Sequence, residues 1–196
     1  TQEMFTLDEL VQLFSLERVS KAGAKFDYEK AKWFNHQYLL KHSDAELAAE
    51  FMPLLQAAGF NRPIEFVTTV VGLVKERANF VNDFLEHARF FFEAPTTWDE
   101  ATLSKKWKPE TQGILEGWRD ALATTNDYSA ANLEVTSKAY LESIGVGIGQ
   151  VLQGFRILIT GLPAGPSMFE VCSLLGKEEV AARFNKALEF TKSKFA

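Results

Sequence analysis

Cysteine is nearly missing from this 196-residue chain: Cys172 stands alone. A single thiol excludes an intrachain disulfide framework and any zinc site built from several thiolates. It lies in the apolar run Phe169 to Leu175 and reads as an inert core residue. Histidine is scarce too, with only His36, His42 and His87. The first two are six apart, which does not stack them on one helix face. No H-E-x-x-H or E-x-x-H pairing occurs, so a metal site in a helical bundle is not expected. No apolar stretch reaches the ~18 residues of a membrane span, and no signal-peptide pattern is visible. The chain opens at Thr1 without an initiator Met, which suits a processed chain or an excised piece of something longer. Strand signals are almost absent, with no Asn-Gly-type hairpin dipeptide and no sustained alternation. Excess positive charge is missing as well: 21 Lys and Arg against 26 Asp and Glu leave a net charge of −5. That argues against a general polyanion binder, whose affinity comes mostly from phosphate neutralisation, but leaves room for a local basic surface.

The familiar catalytic and nucleotide patterns are absent too. Gly145, Gly147 and Gly149 lack the G-x-G-x-x-G spacing and the preceding strand of a dinucleotide fingerprint. They read better as an elbow between helices. Gly176-Lys177 is followed by Glu178, not the Ser or Thr of a phosphate-binding loop. There is no G-x-S-x-G elbow. The carboxylates fall at helix starts and on helix faces, where capping explains them.

What is present is helical periodicity on a hydrophobic share of 46 % and a charged share of 24 %, the balance of a packed core. Seventeen Phe suit large knobs between helices, and nearly all are expected in the core. Thr6-Leu7-Asp8-Glu9 and Ser43-Asp44-Ala45-Glu46 are capping boxes. Asp27 reads as the N-cap of a helix to about Lys41, and Gly59 closes the helix opened at Ser43. Pro63 to Phe92 predicts one long helix, or two joined near Glu76 to Asn79. Ala94-Pro95-Thr96-Thr97 ends that pattern. Pro109 suits the first turn of a later helix. Further helices run to Ile144 and from Gln150 to about Ile159, and two more are split at Gly176. The expectation is an all-α chain of two helical subdomains, 1–94 and 95–196.

Three features carry chemistry. The loop Thr160 to Ser167 is rich in Gly and Pro and opens a short helix at Met168. Such loops present main-chain N–H groups and carbonyls openly, which suits flat polar ligands such as bases. Arg77 follows the apolar run Val67 to Val74. Its planar fork could read a base edge bidentately, or it could pair with Glu76 or Asp83. Arg156 precedes the Gly/Pro loop. It could stack on a base or meet a phosphate, or it could simply complement a helix C-terminus.

Taken together, several blocks resemble the C-terminal half of bacterial-type glutamyl-tRNA synthetases. They are Phe14 to Asp27, Trp33-Phe34-Asn35-His36-Gln37-Tyr38, Lys75-Glu76-Arg77-Ala78 and Ala88-Arg89-Phe90-Phe91-Phe92. Gly149-Gln150, Phe155-Arg156, Thr160-Gly161, Gly165-Pro166-Ser167-Met168-Phe169-Glu170 and Leu174-Leu175-Gly176-Lys177-Glu178 complete the set in order. The H-I-G-H-like and K-M-S-K-S-like signatures of the family's catalytic domain are absent. The resemblance therefore implies a noncatalytic, cytoplasmic, tRNA-binding portion with two helical subdomains stacked into a curved anticodon-binding cage. Its implied partners are tRNA(Glu) and the parent's own N-terminal catalytic domain, with no membrane and no DNA. It implies no cofactor for this portion, and ATP and Mg²⁺ for the parent, which ligates glutamate to tRNA(Glu).

By the same resemblance, Arg77 reads the third anticodon base, a cytosine, and marks a parent that discriminates against tRNA(Gln). Arg156 falls near the first two anticodon bases. Gly165, Pro166 and Met168 fall on the loop whose backbone and apolar side chain hold splayed bases. Unpaired bases are how proteins read RNA sequence, since A-form grooves hide base edges. Two departures stand out: Gly154 replaces a frequent proline, and Gly165 replaces a hydroxyl residue seen in some members. A backbone contact at Gly165 would survive. The alternative expectation is a helical protein-interaction or scaffold domain without RNA specificity.

Overall fold

A computed structural model of the protein describes residues 2–19, 23 and 25–195. Ser20, Lys21, Ala22 and Ala24, part of the Phe14 to Asp27 block, lie outside the described residues. Every regular element among the described residues is helical. In chain order they are α1 (Leu7–Leu13), a 3₁₀ turn (Leu16–Arg18), α2 (Tyr28–Lys41), α3 (Asp44–Ala57), α4 (Ile64–Val74) and a second 3₁₀ turn (Lys75–Arg77). After it come α5 (Asp83–Phe92), α6 (Glu100–Lys106), α7 (Thr111–Thr124), α8 (Ala130–Ser143), α9 (Ile148–Thr160), α10 (Met168–Leu175) and α11 (Lys177–Phe195).

Local chemistry sets most of these boundaries. Both capping boxes form. The Thr6 hydroxyl accepts from Glu9 N and the Glu9 carboxylate from Thr6 N, and Ser43 and Glu46 repeat the pattern. Asp27 caps α2 by accepting from Lys30 N at 3.0 Å. The Pro63 to Phe92 stretch divides in two, because α4 tightens into the Lys75–Arg77 turn and α5 starts only at Asp83. Pro109 lies ahead of α7, not in its first turn. Thr111 N donates to Lys108 O at 2.9 Å and Lys108 N to Thr111 Oγ1 at 3.0 Å, closing a turn before the helix. Gly145, at φ +70°, turns the chain between α8 and α9, the elbow expected of the glycine cluster.

Packing falls into two groups. In the first, α3 lies on α4 and α4 on α5. Val67, Val70, Val71 and Val74 put one face of α4 fully out of solvent. Phe51 packs edge-on against Phe84, ring centroids 5.6 Å apart. In the second, α7 lies on α8, α10 on α8, and α11 on α7 and α9. Trp118 stacks on Phe155 at 4.3 Å, and its indole N–H donates to Ser137 Oγ at 2.8 Å. Burying such an aromatic stabilises by roughly 2 kcal/mol. Cys172 is buried as expected, and burial pushes its thiol up to about 12.

The phenylalanines depart from expectation. Phe51, Phe84, Phe90, Phe91, Phe92, Phe155 and Phe184 are buried, whereas Phe14, Phe26 and Phe80 are exposed. Phe14 and Phe26 belong to the start of the chain. There α1 buries none of its residues, and Leu7 and Leu16 are 77 % and 78 % exposed.

Arg183 joins the two groups. It is 4 % exposed and sits in the apolar stripe of α11 with Val180, Phe184, Ala187 and Leu188. Its Nη1 donates to Phe90 O in α5 (2.6 Å) and Ile159 O in α9 (3.3 Å), and its Nε to Glu179 (2.7 Å). One guanidinium thus satisfies last-turn carbonyls of two helices, one from each group, where the dipoles favour a cation.

Candidate nucleic-acid interface

The first arginine is placed by the end of α4. Ala78 is fully buried, and Lys75 is drawn to Asp44 at 2.6 Å. Arg77, between them, is left exposed. The Asp83 carboxylate accepts from Asn79 N at 2.8 Å and Phe80 N at 2.9 Å, so it is committed to the backbone.

The second arginine and the Gly/Pro loop are placed by the end of α9. Gly161 sits at φ +78°, and a Cβ there would come 2.7 Å from Thr97 O. Only glycine fits this position. Leu162 N donates to Thr160 Oγ1 at 3.2 Å, and Asp99 N to Gly161 O at 3.1 Å. The loop start is therefore pinned to its own helix and to the chain ahead of α6.

The two arginines meet on this loop. Arg77 Nη2 donates to Gly165 O and Arg156 Nη1 to Pro166 O, each at 2.7 Å. They come from different helical groups and take successive carbonyls. Among the described residues neither guanidinium pairs with a carboxylate, so the ion pairs with Glu76 or Asp83 do not form. Burial lowers the pKa of Arg156 most, and the like charge of Arg77 lowers it further. Each guanidinium carries five N–H donors and gives one to the loop. In a chain of net charge −5, this is a local concentration of uncompensated donors.

The remaining expected site residues are placed differently. Gly165 is half-buried, and a Cβ on it would lie 3.0 Å from Arg156 Nη1, so the missing side chain leaves room for the guanidinium. Pro166 is buried. Met168 is 2 % exposed and its side chain belongs to the core. The apolar side chain expected to hold bases thus lies inside the core in this structure. Met168 opens α10, directly after the loop.

A groove of about 520 Å³ runs beside the loop start, between Asn82, Glu86 and Arg89 of the α5 region and Thr97, Gly161 and Leu162. Sequence reasoning missed Arg183 and the requirement for glycine at position 161. An arginine at a core position of the α11 stripe was a readable signal for the first. For the second, the left-handed cap of α9 is a local feature of a glycine just past a helix end, whereas the crowding by Thr97 O comes from a residue distant in sequence.

Two arginine side chains, one exposed and one half-buried, thus converge on successive carbonyls of one loop, and guanidinium donors of this kind are chemically able to meet nucleobases. Comparison with known proteins gives the family. The family described as "Anticodon binding domain" matches residues 44–188, and the chain belongs to that family. It is 46 % identical over 187 residues to the glutamate–tRNA ligase of Flavobacterium johnsoniae, covering 95 % of this chain and 37 % of that one. It is 45 % identical over 191 residues to that of Phocaeicola vulgatus, covering 97 % and 38 %. A solved glutamate tRNA ligase from Elizabethkingia meningosepticum, in complex with its amino acid, superposes with a TM-score of 0.87 at 36 % identity, over 96 % of this chain and 37 % of that one. The chain thus spans under two-fifths of the length of these relatives.

Proposed function

We propose that this chain is the anticodon-reading, C-terminal part of a glutamate–tRNA ligase and binds the anticodon loop of tRNA(Glu). The observation that carries this reading is the convergence of Arg77 and Arg156 on the carbonyls of Gly165 and Pro166. Arg77, exposed and oriented by Gly165 O, offers its remaining N–H groups to the O2 and N3 acceptors of a cytosine at the third anticodon position. A guanine would present a different pattern. Arg156, half-buried, fixes the loop beside the first two bases. Gly165 and Pro166 contribute backbone, and Met168 contributes its helix-opening N–H. The boundary between the two anticodon-binding subdomains falls at Ala94-Pro95, between α5 and α6.

In this reading ATP, Mg²⁺ and glutamate are handled by the catalytic part of the parent, and the whole works in the cytoplasm. The exposed apolar residues of α1 and the first 3₁₀ turn pack against that part. They also favour a second reading, a helical interaction domain without RNA specificity.

Filter binding separates the two. Retention of labelled tRNA(Glu) at low salt, reduced about tenfold by Arg77→Ala, supports anticodon reading. Equal retention of an unrelated RNA hairpin, by both proteins, sinks it.

A further inference from the structure

The turn that carries Arg77 is held from both sides. Helix α2 packs on the rest of the molecule chiefly at Lys75–Arg77. Its Asn35 Nδ2 donates to Asn79 O, and its His36 Nδ1 lies 2.7 Å from Ala78 O. A carbonyl only accepts, so His36 Nδ1 carries the proton. On the other side, the Asp83 carboxylate of α5 takes the amides of Asn79 and Phe80. The backbone just after Arg77 is thus gripped by its carbonyls from α2 and by its amides from α5. Arg77 cannot shift its main chain without moving α2 or breaking these bonds.

Helix α2 also continues from the chain start, whose apolar side chains are left in solvent. Helix α2 is thus the helix that follows this apolar segment in the chain and also contacts the arginine turn. Asn35 is exposed and His36 half-buried, so neither is needed to fill the core.

Resting on the anticodon reading, we propose that Asn35 and His36 are positioning residues. They lock the Arg77 turn to α2, so that a correct third base, once engaged, is transmitted through α2 to the catalytic part. They touch neither base nor substrate. Their loss leaves tRNA binding largely intact and removes the advantage in turnover that the correct base confers.

The test uses the full-length ligase that contains this chain. Charging is followed with tRNA(Glu) and with a transcript changed only at the third anticodon base, for wild type, His36→Phe, Asn35→Asp, His36→Asn and Arg77→Ala. The expected result for His36→Phe is a roughly tenfold fall in the ratio of the two kcat values, through loss on tRNA(Glu) alone. kcat on the altered transcript and KM for tRNA(Glu) stay within about twofold. His36→Asn, which returns a donor near the same place, keeps the wild-type ratio. Asn35→Asp removes the second donor at constant size and shows the same fall, so it decides the matter where His36→Phe does not fold. A ratio within twofold of wild type, or an equal fall on both transcripts as a merely structural role would give, overturns the inference. An unchanged ratio in Arg77→Ala is a distinct outcome: it removes the anticodon reading itself.

Discussion

The two arginines of the recognition surface are chemically identical and differently employed. Arg77 stands on an exposed 3₁₀ turn at the end of α4. Arg156 projects from within α9, is half-buried, and is electrostatically disfavoured by its surroundings and by its partner. Both hold the same loop through equally short bonds. The difference in exposure divides the labour. A guanidinium with water on one side can exchange water for a base edge at little desolvation cost, whereas a half-buried one is better suited to fixing backbone. The contrast extends to the two helical groups. On the proposed function, the first presents a reader, and the second a shaped loop that orients it.

The largest expected effect breaks the relation between the groups. Arg183→Met keeps the stem but leaves carbonyls of Phe90 and Ile159 unsatisfied at a buried junction, and it should cost about 3 kcal/mol in a chemical melt. Next, Gly161→Ala attacks only the loop. With φ at +78° and Thr97 O in the way, it should cost about 2 kcal/mol and loosen the loop. A melting curve matching wild type for Gly161→Ala would show that the loop start relaxes freely.

Arg156→Ala sharpens the division of labour in binding. It should weaken anticodon stem-loops that differ at the third base by the same factor, on the order of tenfold, because it removes a support shared by both. Unequal weakening would make Arg156 a reader of that base.

The smallest effect concerns Cys172. Its pKa is raised by burial, so the neutral thiol is the folded form and its contribution to stability is complete below the ordinary thiol range of roughly 8.5. That contribution is lost as pH rises from there toward about 12. Native protein at pH 8 should therefore resist alkylation, and urea-unfolded protein should not. Rapid native labelling would place Cys172 on a mobile surface.

Much of the local architecture was legible in the sequence. Ser43-x-x-Glu46 and Thr6-x-x-Glu9 state their caps in four residues, and α4 announces its buried face through valines at helical spacing. The glycine elbow before α9 was readable because glycine has few other reasons to cluster. What could not be read depended on distant partners. Met168 turns inward because α10 packs on α8 and α11, which its own loop does not encode. Phe14 and Phe26 look like core residues, yet nothing in the described chain covers them. Within the candidate site, Arg77 and Arg156 were legible as donors near a Gly/Pro loop. Their shared grip on Gly165 and Pro166 was not, since it joins positions 88 residues apart in the case of Arg77.

The most direct test is equilibrium binding at one fixed salt concentration, with two anticodon stem-loops differing only in the third anticodon base. Wild type should prefer the cytosine form by about tenfold or more, and Arg77→Lys, which keeps charge but loses the planar fork, should bind both alike near the weaker level. A preference that survives Arg77→Lys and Arg77→Ala unchanged would contradict base reading by this arginine.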